Sequence, residues 1–275
     1  VVLAVIHWHE LTSDIVTQAL SAQNLLILAA VYPAIKLVHE LGHASATKVW
    51  GGQLHEFGVM LLVLIPVPYV DASASAAFPQ KWKRLVVSGA GIMVELLAAA
   101  IAMIVWVNAE PGIVRAIAFN VMLIGGVSTL LFNGNPLLRY DAYYILSDLI
   151  EIPNLAQRSK NYLYYLVRRY AWSVRNLQNP AHSRGEKIWF VLYGIASTLY
   201  RVVICVGILL FIADKLFLLG FVLAVAAVVA WVLVPLGKFV RYLATSNELF
   251  RTRGRAILST LLVFFGILFW PIVTF

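Results

Sequence analysis

The 275-residue chain is 61% hydrophobic and only 12% charged, and its mean hydropathy is +0.85. This composition excludes an ordinary water-soluble domain and indicates an integral membrane protein. The single cysteine, Cys205, excludes a disulfide framework and a CxxC metal site. Because the sequence has no initiating Met and opens on an apolar run, we expect it to be a piece of a longer polypeptide.

Six apolar segments are long enough to cross a bilayer, which takes about 20 residues. In chain order they are 25–49, 85–107, 113–132, 188–213, 216–236 and 256–275. The run "FGVMLLVLIPVPYV", residues 57–70, is too short to span and contains Pro66 and Pro68, so we predict a re-entrant or interfacial hairpin there. The sequence therefore predicts an all-α polytopic membrane protein with one short re-entrant or β-hairpin segment.

Lysine and arginine are concentrated in every second connection between these spans. The basic connections follow the first, third and fifth spans, whereas the alternate connections contain only Arg115 and Lys215, offset by Glu110 and Asp214. Alternating spans place all three basic connections on one side, which the positive-inside rule assigns to the cytoplasm. Loops that face lipid headgroups account for the net charge of +8 without a nucleic-acid partner.

The first span contains "HELGH", residues 39–43. Residues four apart lie on one helix face, so His39 and His43 can offer ring nitrogens to one metal ion while Glu40 points at a metal-bound water. A charged group within a span costs about 2.5 kcal/mol or more and is seldom retained without a partner. The pattern therefore favours a zinc site, in which both imidazoles are ligands and the carboxylate has a use.

A catalytic zinc site normally has three protein ligands, so a third must come from another segment. The helix with "HELGH" runs towards the cytoplasm, and the third ligand is expected at the cytoplasmic end of another span. Asp141, in "FNGNPLLRYDAYY" just after the third span, meets this condition. Asp148 is a local competitor, and a surface carboxylate on a short amphipathic helix is the alternative interpretation.

Asn133 and Pro136 precede Asp141 at the spacing N-x-x-P-x-x-x-x-D. Together with "HELGH" on a membrane helix, this pattern resembles the site-2 protease family of intramembrane zinc metalloproteases, whose second motif is N-x-x-P-x-P-x-L-D-G. It further resembles the branch of large bacterial proteins linked to peptide modification or export. The chain departs from the second motif at three positions, Leu138, Tyr140 and Ala142.

The resemblance implies a zinc ion held by His39, His43 and Asp141. It implies that Glu40 is the general base. It makes Asn133 a candidate for holding substrate or the oxyanion, although capping the end of the third span explains this residue equally well. The hairpin at 57–70 can supply a strand edge for an extended substrate.

A further family element, A-G-P-x-x-N, lies on the second span between the two motifs. Here it is "AGIMVE", residues 90–95, with Ile92 and Glu95 in place of the Pro and the Asn. An ionisable group within a span is a functional candidate. Glu95 can therefore face the zinc cavity, where it would contact substrate or the oxyanion, or it can form an ion pair with Arg201 in the fourth span.

We expect four regions along the chain. Residues 1–24 are the end of a preceding span plus a non-cytoplasmic interfacial segment, 25–159 a site-2-protease-like membrane core with the zinc site, 160–187 a basic amphipathic segment on the cytoplasmic side, and 188–275 three further spans. The aromatic and basic residues of the third region are typical of a helix that lies on the inner leaflet.

The predicted function is zinc-dependent hydrolysis of a peptide bond in or near the membrane, with a membrane protein or a peptide as substrate and no nucleic-acid partner. The predicted location is the bacterial inner membrane, with the zinc site towards the cytoplasm. The alternative is a zinc-binding but proteolytically inactive scaffold subunit of a larger membrane complex or peptide-export system, with other subunits or a fused domain as partners. A transporter is disfavoured because the two halves show no paired broken helices.

Overall fold

Apolar helices account for most of the structure, a computed structural model. It describes residues 2–13, 21–62, 65–71, 73–174, 177–246, 249–250 and 252–262. The chain divides into two compact units, Val1–Pro153 and Asn154–Phe275. The candidate metal ligands all lie in the first unit.

The first unit consists of helices and one β-hairpin. Its elements are α1 (Val2–Ile6), α2 (Trp8–Ser13), α3 (Ala22–Val49), β1 (Phe57–Leu62), β2 (Ile65–Val70), a 3-10 turn (Ser73–Ala77), α4 (Lys81–Asn108), α5 (Ile113–Met122) with a π-helical continuation (Leu123–Asn133), and α6 (Asp141–Leu149). Antiparallel pairing of β1 with β2 confirms the predicted hairpin.

The second unit is helical throughout its described elements. They are α7 (Leu155–Leu166) with a π-helical continuation (Val167–Ala171), α8 (Arg184–Lys215), α9 (Phe217–Val228), a π-helical segment (Val229–Leu233) and α10 (Val234–Thr245). Residues 253–262 are also helical. Most side chains of α8, α9 and α10 are exposed, and Phe217 is 78% exposed. Such apolar, unburied faces suit contact with lipid.

Within the described residues, five helices are long and apolar enough to cross a membrane. They are Gln23–Val49, Lys81–Asn108, Ile113–Asn133, Arg184–Asp214 and Phe217–Thr245. This finding agrees with the first five predicted spans and with a helical polytopic membrane protein. Most of the sixth predicted span, 256–275, lies outside the described residues.

Helix α3, which carries "HELGH", has a defined signal at each end. The Ser21 hydroxyl accepts a hydrogen bond from the backbone N–H of Asn24 at 3.2 Å and so caps the first turn. At the other end Gly51 adopts a φ of +77°, and its N–H donates to the Lys48 carbonyl at 3.0 Å. Glycine adopts this left-handed conformation at little cost. The chain leaves the helix here, and β2 packs back against α3.

Helix α4 is the central element of the first unit, since it contacts α3, α5 and α6. Its close approach to α3 depends on Gly42, where a Cβ would lie 3.0 Å from the Ala90 carbonyl oxygen. The small residue therefore lets the backbone of α4 pass directly beside "HELGH". This packing places Val87, Gly91 and Glu95 of α4 against the two histidines.

Candidate metal centre

His39, His43 and Asp141 converge on one point in the first unit. The histidines are four residues apart on α3, and Asp141 is the first residue of α6. The two Nε2 atoms are 3.1 Å apart, His39 Nε2 is 3.1 Å from Asp141 Oδ2, and His43 Nε2 is 3.5 Å from Asp141 Oδ1. One ligand atom from each residue lies within 4.8 Å of the others, so the cluster can hold a metal ion.

The geometry of the cluster fits a small tetrahedral ion. Zinc bonds of 2.0–2.2 Å in tetrahedral arrangement put neighbouring ligand atoms about 3.3 Å apart, close to the three distances observed. Within the described part of the chain, the buried Asp141 Oδ2 has no hydrogen-bond partner despite its short distance to His39. An unsatisfied, buried carboxylate oxygen beside two ring nitrogens is the donor set that a cation would complete.

The hydrogen bond on the far side of His43 determines which of its nitrogens can bind metal. His43 Nδ1 lies 2.7 Å from the Val87 carbonyl oxygen, which can only accept. Nδ1 must therefore carry the proton, and in the neutral ring Nε2 keeps its lone pair directed at His39 and Asp141. The ring is thus held in the tautomer that metal ligation requires.

Asp141 presents its carboxyl group to both histidines, with Oδ2 3.1 Å from His39 Nε2 and Oδ1 3.5 Å from His43 Nε2. The competing candidate, Asp148, is engaged elsewhere, because Arg84 Nε donates to its Oδ1 at 2.9 Å. Of the two carboxylates that the sequence offered, Asp141 therefore contacts the histidines.

A cavity of about 450 Å³ opens beside the cluster. Glu40, His43 and Asp141 line it together with residues of α4, α6 and the segment after β2. Glu40 is half-buried, and its Oε2 accepts a hydrogen bond from the Val70 N–H at 3.1 Å. The predicted base therefore faces the same space as two of the three candidate ligands.

The edge of β2 that faces Glu40 has carbonyl acceptors at two positions where it has no N–H donors. Val70 donates its N–H to Glu40, whereas Asp71 donates its N–H in the opposite direction, across the hairpin, at 2.9 Å. Alternate residues of a strand direct their N–H and C=O groups to the same edge. Pro66 and Pro68 therefore lie on the Glu40 edge, where they contribute carbonyl acceptors but no N–H donors.

Glu95 of α4 lies directly behind the cluster and is fully buried. Lys36 Nζ is 2.6 Å from its Oε1, while Thr129 Oγ1 and Asn133 Nδ2 donate to its Oε2. The sequence reasoning missed Lys36, although it precedes His39 by three residues on the same helix face. Neither Glu95 nor Asn133 is among the residues that line the cavity, so their substrate or oxyanion role stays a prediction.

The alternative predicted for Glu95 was an ion pair with Arg201. The structure gives Glu95 an ion pair with Lys36, and within the second unit Arg201 Nε donates to the Ser197 carbonyl oxygen at 3.1 Å. Both Lys36 and Glu95 lie in helices that are long and apolar enough to cross a membrane, where charged side chains usually pair with one another.

No family model, curated protein or solved structure matches the chain. What the centre can do must therefore follow from its own chemistry. Lys36 and Glu95 offset each other's charge behind the cluster, while the carboxyl groups of Glu40 and Asp141 lie beside the cavity. A divalent cation bound to the cluster would offset the negative charges of Glu40 and Asp141.

Proposed function

We propose that the chain is a zinc-dependent intramembrane endopeptidase whose metal is held by His39, His43 and Asp141. The observation that carries this proposal is the convergence of the three ligands beside a cavity that Glu40 also lines. Two imidazoles and one carboxylate are a catalytic zinc set that leaves a coordination position open. Magnesium and calcium prefer oxygen ligands throughout, so the two histidines favour zinc over either ion.

Glu40 is the general base of the proposed reaction. When bound, zinc supplies Lewis acidity that makes a water more acidic and polarises a peptide carbonyl. Glu40 then removes a proton from the water and delivers it to the leaving amine. Val70 holds Glu40 Oε2 and leaves Oε1 for this proton transfer, and the Val87 carbonyl keeps the His43 ring in place.

The substrate must enter as an extended chain, because a helix hides its amides in its own hydrogen bonds. We expect the extended segment to align along the Glu40 edge of β2. That edge offers the carbonyl oxygens of Pro66 and Pro68 as acceptors for substrate N–H groups. Because the prolines have no N–H to donate, only the substrate N–H groups are bonded to the strand at those two positions.

The proposed setting is the inner membrane of a bacterium, with the metal centre towards the cytoplasm. The distribution of Lys and Arg supports this orientation. Trp50 follows α3, Trp82 lies in the first turn of α4, and their ring centroids are 5.1 Å apart. Paired tryptophans at span ends are typical of a membrane–water interface. The partners we propose are a membrane-protein or peptide substrate and the lipid bilayer.

A zinc-binding scaffold subunit without peptidase activity is the second candidate. The observation that favours it is the hydrogen bond from Val70 to Glu40, which occupies one oxygen of the proposed base. In a scaffold this bond would serve to fix the hairpin on α3. The two candidates share the metal and differ in whether Glu40 transfers a proton.

Substitution of Glu40 by glutamine separates the two candidates. Gln keeps an acceptor for Val70 but cannot take a proton, so the peptidase proposal predicts one bound zinc and a fall in hydrolysis of about 100- to 10,000-fold. Purified protein in liposomes would be assayed on labelled casein and on labelled single-span peptides. Glu56→Gln, which alters an exposed acid of the hairpin region, is the matched control and is expected to retain activity.

Three outcomes of these assays distinguish the two candidate functions. Cleavage by wild type that disappears with Glu40→Gln and with a chelator supports the peptidase. Zinc binding without cleavage supports the scaffold if cells that express Glu40→Gln also show the same phenotype as cells that express the wild type. A wild-type protein that binds no zinc refutes both.

A further inference from the structure

Glu95 is a carboxylate with 0% exposure inside a membrane-spanning helix. An ionised group at this depth is costly and is retained only when it has a partner and a use. Its ion pair with Lys36 accounts for its charge, but that pair involves only Oε1. The other oxygen, Oε2, faces Thr129, Asn133 and His39, so the ion pair alone does not explain the arrangement.

In both His39 and His43, Nδ1 is the ring nitrogen that does not face the other candidate ligands. Nδ1 of His39 is buried, and among the described residues it has no aligned hydrogen-bond partner. Glu95 Oε2 lies 3.3 Å from this nitrogen, which is within ion-pair distance. On His43 the equivalent nitrogen bonds to the Val87 carbonyl oxygen. Metal-bound histidines generally donate this second N–H to a carboxylate or a backbone carbonyl.

We propose that Glu95 is a positioning residue that orients His39 for metal binding, with Lys36 as the counter-charge that keeps the carboxylate in the membrane. This inference rests on the proposed metal centre. Glu95 Oε2 accepts the Nδ1 proton of His39, which leaves the Nε2 lone pair directed at His43 and Asp141. Lys36 cancels the negative charge through the opposite oxygen.

Thr129 and Asn133 complete the arrangement from the third span. Both donate to Oε2, the oxygen that faces His39, and therefore hold it in position. The third span leads directly to Asp141 at the start of α6. Glu95 thus connects the helix that carries the two histidines with the segment that carries the third ligand.

The test compares two double variants that are both free of the ion pair. Lys36→Met/Glu95→Met removes the charges and the acceptor, whereas Lys36→Met/Glu95→Gln removes the charges and keeps an acceptor oxygen. Donation by Thr129 and Asn133 orients that oxygen as in the wild type. Zinc affinity of the purified full chain in detergent micelles would be measured by competition with a chromophoric chelator. The Co²⁺ absorption spectrum would report ligand geometry.

We expect the Met/Met variant to bind zinc about 10- to 100-fold more weakly than wild type, with an altered Co²⁺ spectrum. The other double variant, Lys36→Met/Glu95→Gln, is expected to regain most of the zinc affinity that Lys36→Met/Glu95→Met loses. Replacement of a buried ion pair by apolar groups is often neutral for stability. The loss of zinc affinity should therefore occur without a matching fall in thermal stability. Asn120→Val is the control, because it removes a buried contact between the first and third spans at Asn24, away from His39.

Equal zinc affinity in the two double variants would overturn the inference and leave the proposed metal centre intact. A wild-type chain that binds no zinc would instead refute the metal centre, and the inference with it. A second measurement is independent of the Met/Met variant. In zinc-loaded protein with ¹⁵N-labelled histidine, Nδ1 of His39 should be protonated, and its signal should shift in the Glu95→Gln variant. An unchanged signal would also overturn the inference.

Discussion

Replacement of Gly91 by alanine tests the geometry of the proposed metal centre most directly. An ideal Cβ on Gly91 would lie 2.5 Å from Nε2 of both His39 and His43. Ordinary nonbonded contact requires about 3.4 Å, so each Nε2 would have to move by about 0.9 Å. Metal–ligand distances tolerate only about 0.2 Å. We therefore expect Gly91→Ala to weaken zinc binding at least ~100-fold, equivalent to ~2.7 kcal/mol.

Gly89 provides a matched control on the same helix. A Cβ at Gly89 meets Ile145 Cδ1 at 3.6 Å, an ordinary contact, and reaches neither histidine. Alanine favours the helix over glycine by about 0.5–1 kcal/mol at either position. Zinc affinity would be measured by chelator competition in micelles, with thermal unfolding of the metal-free proteins alongside. If Gly91→Ala and Gly89→Ala bind zinc equally well, the two Nε2 atoms do not form the metal site.

Two further predictions use the same measurements. Asp141→Asn is expected to weaken zinc binding by about 10-fold or more because a ligand loses its charge, whereas Asp148→Asn should leave the affinity unchanged, since Asp148 is paired with Arg84 at 2.9 Å. Equal losses in both variants would contradict the ligand assignment. Asn120→Val should lower stability by about 1 kcal/mol through loss of the 2.6 Å hydrogen bond to Asn24, with zinc affinity preserved. Wild-type stability in this variant would show that the amide pair does not join the two spans.

The membrane spans could be predicted from hydropathy, but their ends could not. The second span was predicted from residue 85 and the fourth from residue 188, whereas the helices begin at Lys81 and Arg184. Both extra segments contain charged residues, which end a hydropathy window without ending a helix. Backbone hydrogen bonding continues past the apolar region, so composition locates the apolar stretch and not the helix terminus.

The choice between Asp141 and Asp148 illustrates what pattern alone leaves open. The two residues are two helical turns apart and share one face of α6, so helix periodicity does not separate them. The difference arises from α4, because Arg84 reaches Asp148 and the histidines of α3 reach Asp141. Only the packing of three segments determines which carboxylate meets the two histidines.

Lys36 was missed for a related reason. Its position three residues before His39 is visible in the sequence, but its partner depends on where α4 crosses α3. That crossing is set by close contacts at Gly42 and Gly91, where added side chains would meet the opposite helix. Hydropathy places Glu95 and Arg201 at similar depth and so suggests their pairing, whereas helix contact selects Lys36.

Three positions at which the chain departs from the motifs of the predicted family resemblance have a local structural explanation. Ala142 lies in the first turn of α6, with helical backbone that alanine favours, so a glycine is not needed there. Leu138 uses the N–H that a proline would lack, donating to the Asn135 carbonyl at 3.3 Å. Glu95 replaces a neutral amide, and Lys36 supplies the charge that this change requires. The bond from Val70 to Glu40 also favours a scaffold, and proton transfer by Glu40 is the property that distinguishes the two proposals.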